Sequence, residues 1–181
     1  MANRTEKVME YVNSIFDRIG GAESKRISYV HSYGVSHCCA LLAVKRGLNL
    51  ELAAIIGLLH DLYTCKTGIS ALHSHNGAEM LRVAFKYELA GIFTDGEQTV
   101  IKSAVFHHSD KDHVHGRYDE LLKDADILQH LPFDEPYKRI NGLRLAAVMR
   151  ELSLTAPDID ILPEKEPKNK KFDRSRLGDI A

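Results

Sequence analysis

The sequence predicts an all-α protein built as one bundle-like domain, and three observations carry that expectation. Apolar residues recur at three- and four-residue spacing in seven successive stretches. Most of these stretches are bounded by helix punctuation: Gly20-Gly21 and Gly47 as stops, Asn49, Ser74 and Thr94 as N-caps, Pro132 and Pro136 beyond or at helix ends. No internal repeat, convincing strand or Gly-rich phosphate loop is present, so helix packing on helix is the architecture left.

Val8, Val12, Ile15, Phe16 and Ile19 define the first helix, closed by Gly20-Gly21. The second runs from Ser24 to Arg46 and stops at Gly47, with His31 in its interior. Asn49 caps a third helix that carries the apolar run Leu52–Leu59 into His60-Asp61 and frays between Thr64 and Gly68. Ser74 is placed to cap a fourth helix, with His73 at its mouth. Thr94-Asp-Gly-Glu97 has capping-box spacing and opens a fifth helix that ends at His107-His108. A polar loop from Ser109 to Arg117 leads to a sixth helix, Tyr118 to Leu131, halted by Pro132. Pro136 opens a seventh, since a helix tolerates proline in its first turn. The expected organisation is an N-terminal helix (1–23) packing on the main domain (24–154), followed by an extended or disordered basic tail (155–181) rich in proline and lysine.

At 181 residues the chain suits a single domain with a real core. A net charge of −1, with acids and bases interspersed, argues against nucleic acid or a membrane surface as partner. The start of the chain lacks an apolar signal segment, and no stretch approaches the ~18 apolar residues of a membrane span. Cys38, Cys39 and Cys65 form no disulfide pattern, which fits a reducing compartment, so the expected location is cytoplasmic. All ten histidines fall between His31 and His130, and that clustering locates the chemistry.

His60 and Asp61 are polar residues directly behind an apolar run. Burying a neutral polar group without a partner costs roughly 2–7 kcal/mol, and a charge costs more. Either the two satisfy each other inside a helical core or they hold a metal ion, which takes neutral imidazole nitrogen and carboxylate oxygen as ligands. Adjacent residues diverge by about 100° around a helix, so both reach one ion only if other helices close the remaining positions. His31 and Asp126 are placed for that.

With H-S-Y-G-V at His31, G-L-L-H-D at His60-Asp61 and K-D-A-D-I-L reaching Leu128, residues 24 to 150 resemble the HD-domain superfamily of metal-dependent phosphohydrolases. The resemblance implies an HD-domain-like helical bundle and metal ligands at His31, His60, Asp61 and Asp126. Asp126 is preferred to Asp124 because it follows Ala125 as the family phrase requires. H-S-H-N-G-A-E-M-L from His73 is similar to the element that supplies an extra ligand in two-metal members, and His73, His107 and His108 would then hold a second ion. The implied cofactor is one or two divalent ions among Fe, Mn, Co, Ni and Mg, with His60 and Asp61 as the catalytic pair. The implied activity is hydrolysis of a phosphate ester or anhydride, a nucleotide being the expected small-molecule substrate. The phrases around His31 and His60 are most similar to the dinucleoside-tetraphosphatase type, although Thr64 stands where those enzymes carry lysine. Lys66, Lys111, Arg117 and Lys138 are the candidate phosphate contacts, while His37 and His75 read as solvated or supporting, and His113, His115 and His130 as surface residues. The competing expectation is a non-catalytic HD-fold module that senses a nucleotide or binds a partner.

Overall fold

In the computed structural model, residues 3–131 and 137–155 and the backbone of 161–162 are described, without the side chains of 137–140. Among the described residues eight helices run in the order α1 (Arg4–Phe16), α2 (Ala22–Arg46), α3 (Leu50–Leu59), α4 (Leu62–Thr67), α5 (His73–Ala84), α6 (Asp95–His107), α7 (Arg117–Gln129) and α8 (Arg139–Glu151). The all-α expectation holds. One detail is added: two-residue strands β1 (Tyr137–Lys138) and β2 (Ile161–Leu162) pair in parallel on either side of α8. Two residues are too few for an alternating pattern to be legible in a sequence. Most of the expected tail, and Pro136, lie outside the described residues.

Local chemistry explains the helix ends. Asn3 and Thr94 each form a capping box, with Glu6 and Glu97 returning the second bond, and Asn49 accepts from Leu52 N. Gly47 closes α2 at φ +61°, a left-handed conformation that glycine adopts without a Cβ penalty. Ser74 does not cap α5. It is buried and its hydroxyl is engaged with Ser109 Oγ at 2.8 Å; α5 starts at His73, and Leu72 takes the cap position at φ +51°.

The core runs through the whole bundle. Val8, Val12 and Phe16 of α1 join Val35, Cys39 and Leu42 of α2, Ile55, Ile56 and Leu59 of α3, Leu81 of α5, Ile101 and Val105 of α6 and Leu121 and Leu122 of α7 in one buried cluster. α2 and α3 pack closely at Gly57, where a Cβ would stand 2.6 Å from Ser36 Cα. That close approach brings the middle of α2, with His31, alongside the end of α3, with His60.

The chain does not carry α3 through His60-Asp61. α3 ends at Leu59, and Asp61 at φ −109°, ψ 16° sits in the sparsely populated bridge region before α4 resumes. This break frees the two side chains from the 100° separation of a straight helix and turns both into the bundle.

Candidate metal centre

Four imidazoles and two carboxylates meet at the junction of α2, α3, α5, α6 and α7. They fall into two groups whose donor atoms lie within 4.8 Å of one another: His31, His60 and Asp126, and Asp61, His73 and His108. Asp61 joins the groups. Its Oδ2 lies 3.6 Å from His31 Nε2 and 3.5 Å from His60 Nε2, and its Oδ1 lies 3.3 Å from His108 Nε2 and 3.6 Å from His73 Nε2.

The tautomers of all four histidines follow from their outer contacts. Nδ1 of His60 donates to Gly57 O (2.8 Å), that of His108 to Val105 O (2.7 Å), that of His73 to Ser70 O (2.9 Å) and that of His31 to Gln129 Oε1 (2.8 Å). Each Nδ1 therefore carries a proton and each Nε2 presents a lone pair inward. Yet the Nε2 atoms face each other in pairs, His31 to His60 at 3.1 Å and His73 to His108 at 3.0 Å. Two lone pairs at that distance repel unless a proton or a cation lies between them. The buried Oδ1 of Asp61 also has no hydrogen-bond partner. A proton shared within one pair leaves that oxygen orphaned, whereas a metal ion meets two nitrogens and a carboxylate oxygen together. The donor set fits divalent metal, and the backbone and glutamine acceptors behind each ring are the supports that orient ligand histidines.

The electrostatics agree. Burial pushes His60 down to about 4, so its imidazole is neutral and available as a ligand. Burial alone would raise Asp61, but the charge of a protonated His60, with the His108 and His31 rings beside it, holds the carboxyl well below the ordinary carboxylate range. Asp126 behaves alike: burial opposes ionisation, and Lys111 with His60 and His31 overcomes it. Burial would lower His31, but Asp61, Asp126 and Gln129 raise it. Protonating His31 and seating a cation are thus alternative answers to the same two carboxylates.

Not every expected residue joins the site. His107 is drawn away, its Nδ1 bonded at 2.6 Å to the buried Asp119 and its ring stacked on His115 at 3.9 Å, and it belongs to neither group. Asp124, two residues from Asp126, instead pairs with Arg46 (2.7 Å) and Arg144 (2.9 Å). The groups open into a cavity of about 740 Å³ floored by His31, Asp61, His73, His108, Lys111 and Asp126, with Arg26, Ile27 and Val30 on its exposed side. Lys66 and Arg117 do not line it: Lys66 is exposed on α4, and Arg117 donates to Arg46 O at the end of α2. The Lys138 side chain lies outside the described residues. Gln129 and His130, which sequence reasoning did not assign to the site, line the cavity. Gln129 supports His31, and His130 Nε2 stands 3.7 Å from Asp126 Oδ1. The one signal for them was position, three and four residues after Asp126 on the same helix face.

An all-α bundle with a buried histidine–aspartate cluster at helix junctions is the architecture of a metal-binding helical domain. The family model for the HD domain matches residues 28–131, more than half of the chain, and the protein belongs to that family. No curated protein and no solved structure matched the chain. The match covers both groups and begins within α2, leaving α1 outside. Among the described residues no helix is long and apolar enough to cross a membrane.

Proposed function

We infer that the protein is a metal-dependent phosphohydrolase with two ion positions, acting on a phosphate ester or anhydride of a nucleotide. The observation that carries this reading is the convergence of four inward Nε2 lone pairs on the two oxygens of Asp61. His31, His60, Asp126 and Asp61 Oδ2 would hold one ion, and His73, His108 and Asp61 Oδ1 the other. Bound there, divalent ions supply Lewis acidity towards a phosphoryl oxygen and bring the pKa of water close to neutrality.

The chain's own residues do the rest. Asp61 would serve both positions, its Oδ2 facing His31 and His60 and its Oδ1 facing His73 and His108. Gly57 O, Val105 O, Ser70 O and Gln129 lock the rings, so little reorganisation is needed when charge develops on the substrate. The cavity pairs this polar floor with exposed apolar Ile27 and Val30 beside Arg26, a lining that suits a phosphate carrying a flat, partly apolar group such as a nucleoside.

The test is a panel of phosphorylated substrates with added Mn²⁺, Fe²⁺, Co²⁺, Ni²⁺ or Mg²⁺, together with metal analysis of wild type and Asp61→Ala. The expected result is turnover of nucleotide substrates, about two ions per chain, and loss of both ions in Asp61→Ala with helical content kept. Metal bound without turnover of any substrate would favour the second reading, a nucleotide-sensing module, for which Thr64 in place of lysine speaks. Equal metal retention in Asp61→Ala would sink both.

A further inference from the structure

Residues 109–116 connect α6 to α7 without a helix or strand of their own, yet they are pinned from below. The fully buried Lys123 donates to His113 O at 2.9 Å and to His115 Nδ1 at 2.7 Å. Arg144 of α8 donates through Nε and Nη2 to Lys111 O, both at 3.3 Å. The loop is thereby fixed at the backbone of Lys111 itself, and its side chain is delivered to the cavity floor rather than to open solvent.

There the Lys111 ammonium, only 14 % exposed, pairs with Asp126 Oδ2, while Oδ1 of the same carboxylate lies 3.6 Å from His31 Nε2. A lysine ammonium has three N–H donors. Among the described residues Asp126 is its one side-chain partner, so two donors remain for whatever enters the cavity it lines. A largely buried cation with uncommitted donors is costly unless something answers it. The other side-chain cation on the lining, Arg26, is 64 % exposed and engaged with Glu23.

We propose that Lys111 is a substrate-binding residue, its ammonium holding a phosphate oxygen one carboxylate width from the His31 group. This rests on the phosphohydrolase reading and adds to it the residue that anchors the anion. Lysine binds phosphate as a point charge, which suits an oxygen held beside a cluster of ions rather than a bidentate grip.

The experiment compares wild type, Lys111→Met and Lys111→Arg at saturating Mn²⁺, with inorganic phosphate as probe, read by calorimetry and by product inhibition. Metal content, thermal midpoint and the division between KM and kcat are followed in parallel. Lys111→Met is expected to bind phosphate about 10- to 100-fold more weakly, the range for a lost charged hydrogen bond, and to raise KM more than it lowers kcat. Metal content should stay at the wild-type level, and Lys111→Arg should recover most of the affinity. Phosphate affinity unchanged in Lys111→Met overturns the assignment, as does failure of the wild type to bind phosphate. Loss of metal from Lys111→Met even at saturation also overturns it, since the lysine would then act only through Asp126. Phosphate binding by the wild type without hydrolysis of any ester removes the hydrolase reading and leaves the Lys111 contact standing.

Discussion

Asp124 and Asp126 stand two residues apart on α7, about 200° around the helix, and their surroundings give them unlike tasks. Asp126 faces His31 and Lys111 at the cavity floor; Asp124 faces Arg46 and Arg144. Asp126→Asn should lower metal content and activity. Asp124→Asn should do the reverse, keeping metal while losing about 1.5–3 kcal/mol of stability, the usual worth of hydrogen bonds to charged groups. Metal analysis and urea unfolding of the two variants check this, and the opposite ranking would mean the register of α7 is misassigned. Leu72 offers a second test at this scale. It is 69 % exposed and holds φ +51°, a backbone conformation that costs a leucine about 1–2 kcal/mol. Leu72→Gly should therefore raise stability by roughly 0.5–1 kcal/mol in denaturant unfolding, the relieved strain exceeding glycine's added unfolded-state entropy.

Between elements, the decisive contact is α2 against α3. Gly57 lets the two backbones approach so closely that an added Cβ would stand 2.6 Å from Ser36 Cα and 2.8 Å from Ser36 N. Backbone atoms cannot rotate away as a flexible side chain can. Gly57→Ala should cost about 1–3 kcal/mol, the range for overpacking, and should weaken metal binding because the displaced helices carry His31 and His60. Unfolding and Mn²⁺ titration measure the two effects, and stability equal to wild type would contradict the packing. The helices themselves were legible from apolar spacing and caps, as Asn49 and the Thr94 box illustrate. The break at His60-Asp61 was not, because no glycine or proline marks it, nor was Leu72 as the cap of α5, because Ser74 has the better cap chemistry and spends it on Ser109.

Across the molecule, α2, α7 and α8 are tied by a partly buried charge network: Arg46 to Glu151 and Asp124, Arg144 to Asp124 and Glu120, Lys123 to Glu120. Burial would raise Glu120, but Lys123 and Arg144 bring it below the ordinary 4.5. Glu151 is likewise lowered, chiefly by its bond to Arg46. A carboxyl whose folded pKa is depressed contributes stability that is full above its unfolded pKa and is lost as pH falls through the folded one. Unfolding free energy should thus decline below about pH 4.5. Arg144→Met, which restores Glu120 towards its ordinary value, should flatten that decline. Metal-free protein unfolded in urea from pH 6 to pH 3 checks it, and an identical slope in the variant would remove the network from the explanation.

The sequence by itself determined the helical class, most helix boundaries and the short-range phrases around His31, His60-Asp61, His73 and Asp126, because periodicity, caps and motifs are local properties. Only the tertiary structure decided what depends on distance between elements. His107 and His108 are neighbours in the chain, yet one is held by Asp119 and the other faces Asp61. Among the candidate phosphate contacts the sequence favours Lys66 and Arg117, yet it is Lys111 that is carried to the cavity, by a loop tied down through Lys123 and Arg144. A side chain's partner across the bundle is chosen by the packing of several helices together, and no single stretch of sequence encodes that choice.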